Sequence, residues 1–212
     1  MEILDNFVVF EGCDGSGTST QLAILKEKLE NSGGKTPLFC ITHEPTSGII
    51  GKILRSVLKG EQILQPQTLA RLFAADRNEH LYSSCGIVHR CKHGELVICD
   101  RYTLSSLVYQ GIECGNELPQ ALNLDFPAPQ LLFYFDLDPK IAQERLTGRT
   151  SLDIYEYLEF QEKARKQYLF FLEKFRDAGV QVEIIDASQN TEKISEDVWR
   201  ILIKMPIFSS RV

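Results

Sequence analysis

The stretch NFVVFEGCDGSGTS, residues 6–19, decides the fold of this chain. Its first part is an apolar, β-favouring run, which predicts a buried strand over residues 6–11. The second part follows the P-loop pattern G-x-x-x-x-G-K-[ST], and Gly12, Gly17 and Ser19 match it. Glycines there let backbone N–H groups surround phosphate oxygens, and the following helix adds its positive N-terminal end. The stretch therefore predicts a strand, a phosphate-binding turn and a helix.

Thr18 is the one discordant residue, because the P-loop pattern has a lysine at this position. The lysine reaches the β- and γ-phosphates, whereas threonine is shorter and uncharged. Three interpretations stay open: another cation compensates, catalysis is slow, or the loop binds nucleotide without transferring phosphate. A glycine-rich turn without a ligand is a fourth, but three glycines within residues 12–17, between a strand and a helix, disfavour it.

Strand and helix patterns alternate along the whole chain. Further strands are predicted at 37–42, 96–99, 130–136 and 180–185, and helices at 19–32, 49–58, 66–92, 103–110, 139–146, 157–178 and 192–204. The alternation predicts an α/β fold with a five-stranded parallel sheet and helices on both faces. We find no repeat or linker, and therefore expect one domain, 1–212. Ligands in such sheets bind beyond the carboxyl ends of the strands, where Glu11, His43, Asp100 and Asp136 fall.

Composition restricts the class of function. The chain has 212 residues and a formal net charge of −6, which disfavours binding to duplex nucleic acid. Residues 1–10 carry two acids and no basic residue, unlike a secretory signal, and no apolar run is long enough for a membrane span. We therefore expect a cytoplasmic protein that contacts neither membrane nor nucleic acid.

The six cysteines are scattered and are expected to be free thiols. One group, Cys85, His89, Cys91 and His93, raises the alternative of a zinc site. Its spacing fits no common zinc template, and the end of a helix explains it equally well.

Five motifs in order carry a resemblance to a known family. They are EGCDGSGTSTQ (11–21), HEPT (43–46), LFAADR (72–77), DRYTLSSLVYQG (100–111) and GRTSLD (148–153). Together they resemble the bacterial thymidylate kinases over roughly residues 5–190. The resemblance implies a P-loop kinase fold with its P-loop at 12–19 and a lid at about 147–156. It also implies transfer of phosphate from ATP to dTMP, with Mg²⁺ as cofactor, in a homodimer.

The resemblance assigns most of the predicted site residues. The ATP-binding set is Gly12, Gly15, Ser16, Gly17, Thr18, Ser19, Thr20 and Arg145, and the metal ligands are Ser19 and Asp100. The dTMP-binding set is Asp14, Glu44, Pro45, Phe73, Arg77, Arg101, Ser106, Tyr109 and Gln110. Asp14, Arg101 and Arg149 are the predicted catalytic residues. Members of the family carry an arginine that acts on the transferred phosphate either in the P-loop or in the lid. Because the P-loop position after Asp14 is Gly15 here, the resemblance assigns this role to Arg149 of the lid.

Some of these roles also follow from residue chemistry. Phe73 and Arg77 lie four apart on a predicted helix, so a ring that stacks a base and a guanidinium that binds its edge share one face. A core phenylalanine and a surface arginine are the alternative. His43 stands where bacterial members usually have arginine, which predicts a weaker or pH-dependent phosphate contact.

A kinase for another monophosphate, or a nucleotide-binding module with little activity, also stays open.

Overall fold

The computed structural model describes residues 2–32, 36–146, 154–155 and 157–209. Within these ranges, five strands form one sheet in the order β2-β3-β1-β4-β5, and every neighbouring pair is parallel. The strands are β1 (Ile3–Gly12), β2 (Phe39–His43), β3 (Leu96–Asp100), β4 (Ala128–Asp136) and β5 (Gln181–Asp186). The predicted five-stranded parallel sheet is thus confirmed.

Helices follow the strands and cover both faces of the sheet. They are α1 (Thr18–Asn31), α2 (Ile49–Leu58), α3 (Pro66–Tyr82), α4 (Ile87–Lys92), α5 (Thr103–Cys114), α6 (Glu117–Asn123), α7 (Pro139–Leu146), α8 (Leu158–Asp177), α9 (Thr191–Leu202) and α10 (Pro206–Ser209). No helix in the described ranges combines the length and apolar character that a membrane span needs.

The alternation of side chains along the strands explains the two covered faces. Val8 and Phe10 of β1 join a core that includes α1 and α9, whereas Phe7 and Val9 face α3 and α4. A third cluster packs α5 and α8 onto β4. Successive strand residues point to opposite sides, so an uninterrupted apolar run fits a strand buried on both faces. The α/β prediction is therefore confirmed at the level of packing.

The predicted helix over 66–92 is wrong in its middle, because α3 ends at Tyr82 and α4 begins at Ile87. Gly86 N donates to Ser83 O at 2.8 Å, which closes a turn. A Cβ on Gly86 would lie 2.5 Å from Leu81 O, so the backbone approaches the end of α3 more closely than any other residue type allows.

The short helix α6 was missing from the sequence-based prediction. It covers only Glu117–Asn123 and contains Pro119 near its start, so it lacks the apolar periodicity that reveals a longer helix. It packs against α3 and α5. This contact places its last residue, Asn123, beside the acceptor cleft described below.

Candidate active site

The P-loop joins β1 to α1 at the carboxyl edge of the sheet, and close packing dictates its glycines. A Cβ on Gly12 would lie 2.4 Å from Ser16 Oγ and 3.0 Å from Phe135 O of β4. Gly15 and Gly17 have φ values of +82° and +90°, the left-handed region that glycine adopts without strain. A side chain at any of these three positions would clash or strain the backbone, so this loop conformation requires the glycines.

The loop forms the floor of the first of two clefts, which we call the donor cleft, with a volume of about 580 Å³. No side chain caps the N-terminus of α1, and Ser16 Oγ is buried without a hydrogen-bond partner among the described residues. Free backbone N–H groups and an unpaired hydroxyl suit an anion. Apart from Gly12, every described residue predicted to bind ATP lines this cleft: Gly15, Ser16, Gly17, Thr18, Ser19, Thr20 and Arg145.

Thr18 is almost fully buried in this cleft, with 7% of its surface exposed. In the part of the chain that the structure describes, the cations lining the cleft are Arg101 and Arg145. Arg145 Nη2 donates to Ala187 O at 3.0 Å, which places it beside the loop between β5 and α9. Predicted Arg149, like most of the predicted lid at 147–156, lies outside the described residues.

The predicted metal ligands meet at the edge of the donor cleft. Ser19 Oγ donates to Asp100 Oδ2 at 3.0 Å, and Asp100 Oδ1 is buried with no partner in the described ranges. A carboxylate oxygen left unpaired beside a hydroxyl is a donor set that Mg²⁺ accepts. The residues present therefore fit the cation that the resemblance implies.

A second cleft, the acceptor cleft, lies on the other side of Asp14 and Arg101 and has a volume of about 190 Å³. α3 contributes Phe73 and Arg77, and the turn after β2 contributes Glu44 and Pro45, which a cis peptide bond joins. The structure brings the whole predicted dTMP-binding set into this cleft: Asp14, Glu44, Pro45, Phe73, Arg77, Arg101, Ser106, Tyr109 and Gln110.

Arg101 lines both clefts, and several groups fix its position. Its Nη2 donates to Asp14 Oδ1 at 2.7 Å, and its Nη1 donates to the hydroxyls of Tyr109 and Tyr168, each at 3.1 Å. Its backbone has φ +69°, an unusual value for a residue with a side chain. Such strain persists only where the surroundings over-determine it, and it is common at functional sites.

Glu11 supports this arrangement from below; its place at the carboxyl end of a strand was predicted, but a role in the site was not. Its carboxylate is fully buried and accepts from Tyr102 N, Ser105 N, Ser105 Oγ and Tyr168 Oη at 2.6–3.1 Å. Burial raises the pKa of Glu11, against the lowering effects of Arg101 and these donors. Glu11 thereby fixes the start of α5 and the tyrosine that holds Arg101.

His43, at the carboxyl end of β2, lines neither the donor cleft nor the acceptor cleft. Burial and the neighbouring Arg55 guanidinium lower the pKa of His43, which favours the neutral imidazole. Arg55 Nη2 lies 3.4 Å from His43 Nε2, and Arg55 also donates to Pro45 O at 2.6 Å. Arg55 lies on α2, and the sequence did not indicate that its side chain would contact the turn after β2.

The helix that follows the predicted lid reaches the same site. Gln161 Nε2 donates to Asp14 Oδ2 at 3.0 Å and to Tyr155 O at 2.6 Å. Tyr155 forms one wall of the acceptor cleft, and its hydroxyl donates to Glu113 at 2.6 Å. The sequence did not predict these polar contacts, because the apolar spacing over residues 157–178 indicates only that this helix packs on the core.

The structure does not support the zinc alternative. Cys85, His89, Cys91 and His93 do not bring their ligand atoms together; Cys91 is buried, Cys85 is exposed, and the two histidine rings stack 4.1 Å apart. The six cysteines are free thiols, as predicted.

A different trio, Glu44, His80 and Cys99, has potential ligand atoms within 4.8 Å of one another. Glu44 already pairs with Arg77 and His80, and burial holds the pKa of the Cys99 thiol well above its usual range. A neutral thiol and an engaged carboxylate are poor ligands. This group is therefore a buried polar network under the acceptor cleft.

Comparisons with known proteins identify the family. A sequence model described as thymidylate kinase matches residues 10–198. The chain belongs to the thymidylate kinase family. A protein of Treponema pallidum, provisionally named a thymidylate kinase, is 44% identical over 201 residues, with 93% of this chain and 95% of that protein covered. A protein of Pyrobaculum aerophilum with a similarly provisional name is 38% identical, covering 95% and 98% of the two chains.

A third relative, the thymidylate kinase of Aster yellows witches'-broom phytoplasma, is 36% identical and covers 89% of this chain and 92% of its own length. The family match spans both clefts and the helices that line them. The resemblance inferred from the five sequence motifs is therefore confirmed.

Proposed function

We propose that this chain is an ATP-dependent thymidylate kinase, which transfers the γ-phosphoryl group of ATP to the 5′-phosphate of dTMP and gives dTDP and ADP. The family and its named relatives support this activity. The observation that carries the proposal is the position of Arg101 and Asp14, which line both clefts at once. A pair placed between two anion-binding clefts suits a reaction that joins two phosphorylated ligands.

The chemistry depends on position and charge. Backbone N–H groups of the P-loop hold the donor phosphates, while Arg101 anchors the acceptor phosphate. Ser19 and Asp100 would hold Mg²⁺, which when bound neutralises phosphate charge and orients the donor. Asp14 orients the acceptor sugar through its 3′-OH, and Arg149 adds charge when the lid closes. Because the acceptor phosphate is a dianion, it needs no general base.

A binding module without transfer activity is the second candidate, and Thr18 favours it. Against this reading, the described residues already build an acceptor cleft with a guanidinium at its junction to the donor cleft. A module that only binds nucleotide has no use for that second cleft.

An ADP-release assay with dTMP, dUMP, dCMP and dGMP tests the proposal directly. We expect turnover with dTMP to exceed turnover with the other acceptors, since the cleft contains the predicted dTMP-binding set. A folded preparation that binds Mg·ATP but turns over none of the four would establish the binding module instead.

Replacing Thr18 with lysine tests the discordant P-loop residue. An ammonium group at this buried position would reach the donor phosphates, so we expect kcat/KM to rise, by up to about 10²-fold. Thr18→Val is the matched control, because it keeps the shape and removes only the hydroxyl. If Thr18→Lys leaves kcat/KM unchanged or lowers it, the site has been rebuilt around threonine.

Other expectations stay predictions. The resemblance implies the homodimer, the lid at about 147–156 and the role of Arg149, whereas composition and sequence patterning predict the cytoplasmic location and the single domain over 1–212. Sedimentation of the purified chain measures the first of these.

A further inference from the structure

Tyr168 of α8 places a hydroxyl in the protein interior, next to Arg101. Its side chain is fully buried and lines neither the donor cleft nor the acceptor cleft. The hydroxyl accepts a hydrogen bond from Arg101 Nη1 at 3.1 Å and donates one to Glu11 Oε2 at 3.0 Å. A phenylalanine would fill the same space without a polar atom to satisfy, so packing alone does not explain the hydroxyl.

The surroundings of Tyr168 keep this hydroxyl protonated and in place. Burial and the Glu11 carboxylate hold the pKa of Tyr168 well above its usual range, so the phenol retains the proton that it donates. The ring packs on Tyr134, with the two ring centroids 5.0 Å apart, and meets Tyr109 edge to face at 6.2 Å. A close-packed ring leaves its hydroxyl little room to move.

Glu11, the acceptor for that hydroxyl, is itself tied to the backbone. Its Oε1 accepts from Tyr102 N at 2.9 Å, and the residue before it, Phe10, accepts from Arg101 N at 2.9 Å through its carbonyl oxygen. The end of β1 therefore holds the backbone on both sides of the positive φ of Arg101. Through Tyr168, the same end of β1 also holds the Arg101 side chain.

The other side chains that hold Arg101 belong to a cleft. Asp14 and Tyr109 both line the acceptor cleft, so a ligand bound there contacts them directly. Among the described hydrogen-bond partners of the Arg101 guanidinium, Tyr168 alone lies outside both clefts. It can therefore hold the guanidinium in the same orientation whether the clefts are empty or filled.

We propose that Tyr168 is a positioning residue for phosphoryl transfer, whose hydroxyl fixes the Arg101 guanidinium between the two clefts from the protein interior. This inference rests on the proposed function. Transfer between two bound phosphates depends on positive charge that is already in place, and a guanidinium held at both terminal nitrogens is preorganised for that task. Without the hydroxyl, Arg101 Nη1 keeps only Tyr109, which is itself part of the acceptor cleft.

The test is Tyr168→Phe, which removes the hydroxyl and keeps the ring. We expect kcat/KM for dTMP to fall about 10-fold, a typical effect of losing one hydrogen bond to a charged group. The loss should be shared between a lower kcat and weaker binding of dTMP, because Arg101 faces both clefts. Glu11 keeps three other donors in this variant, so its carboxylate is not left without partners.

Tyr134→Phe is the matched control. Tyr134 is fully buried against the same ring, lines neither cleft, and its hydroxyl hydrogen-bonds to neither Arg101 nor Glu11. This variant removes a buried phenol from the same cluster, and kcat/KM should stay at the wild-type value.

A double-mutant cycle separates positioning from structure. In an Arg101→Ala background the guanidinium is absent, so we expect Tyr168→Phe to lower kcat/KM and dTMP affinity by less than about 2-fold further. A hydroxyl that only stabilised the fold would cost the same factor in both backgrounds. Thermal unfolding, monitored by circular dichroism, measures any loss of stability separately.

Wild-type kcat/KM in a folded Tyr168→Phe variant would overturn the inference. So would an equal loss in Tyr134→Phe, or equal losses from Tyr168→Phe in the Arg101 and Arg101→Ala backgrounds. If the wild-type chain turns over no acceptor, the proposed function fails instead. Calorimetric titration with dTMP across the same cycle then decides the role of Tyr168. A loss of affinity confined to the Arg101 background supports it, and any other result overturns it.

Discussion

Replacing Arg101 with alanine is expected to lower kcat/KM for dTMP by about 10³-fold or more. The substitution removes the guanidinium between the clefts and leaves the half-buried Asp14 carboxylate without its 2.7 Å ion pair. It also removes the guanidinium donor from the hydroxyls of Tyr109 and Tyr168, which keep their hydrogen bonds to Asp14 and Glu11. Both ligands lose a contact, so kcat should fall together with the affinity for dTMP. Steady-state kinetics with each substrate varied in turn measures the effect.

Arg101→Lys is the informative comparison. Lysine keeps the charge but has no planar fork that could serve Asp14 and two hydroxyls together, so we expect it to recover only part of the activity. Thermal unfolding of both variants, monitored by circular dichroism, controls for loss of fold. If a folded Arg101→Ala variant retained wild-type kcat/KM, Arg101 would have no place in the transition state.

Asp100→Asn is expected to reduce kcat by about 10²–10³-fold, a typical result of losing one electrostatic stabiliser of the transition state. The amide keeps the size of the side chain and can still accept from Ser19 Oγ, whose present bond is 3.0 Å. It removes the charge that a divalent cation requires. The concentration of Mg²⁺ at half-maximal rate should therefore rise.

Asp177→Asn is a matched control, because Asp177 is an exposed carboxylate at the end of α8 and lines neither cleft. It should leave kcat and the Mg²⁺ dependence unchanged. A wild-type Mg²⁺ dependence in Asp100→Asn would remove Asp100 from the metal site and assign it to the packing of the β3 terminus.

The sequence predicted the sheet well because the signal for a buried parallel strand is local. Runs such as residues 6–11 and 130–136 are apolar throughout, and burial on both faces requires this. It predicted helix ends less well. The break before Gly86 depends on a close backbone approach between α3 and α4, which no single-residue propensity records.

The residues of the site also fall into two groups, those that the sequence predicted and those that it did not. Residues within contiguous motifs, such as Asp14, Arg77 and Arg101, could be predicted and do gather around two clefts, while their roles stay predictions. Hydrogen bonds between side chains that lie far apart in the sequence could not be predicted. Tyr168 has the spacing of a core residue, and its ring is buried as expected, but its hydroxyl also binds Arg101 and Glu11. Helical periodicity describes which face is buried and says nothing about a single hydroxyl on that face.

The shared position of Arg101 has a thermodynamic consequence. Occupancy of one cleft changes the electrostatic surroundings of a group that also faces the other, so the two affinities form one linked equilibrium. Linkage is reciprocal: whatever factor ATP imposes on the dissociation constant of dTMP, dTMP imposes the same factor on that of ATP. The measured potency of an inhibitor that binds either cleft will therefore depend on the concentration of the substrate of the other cleft.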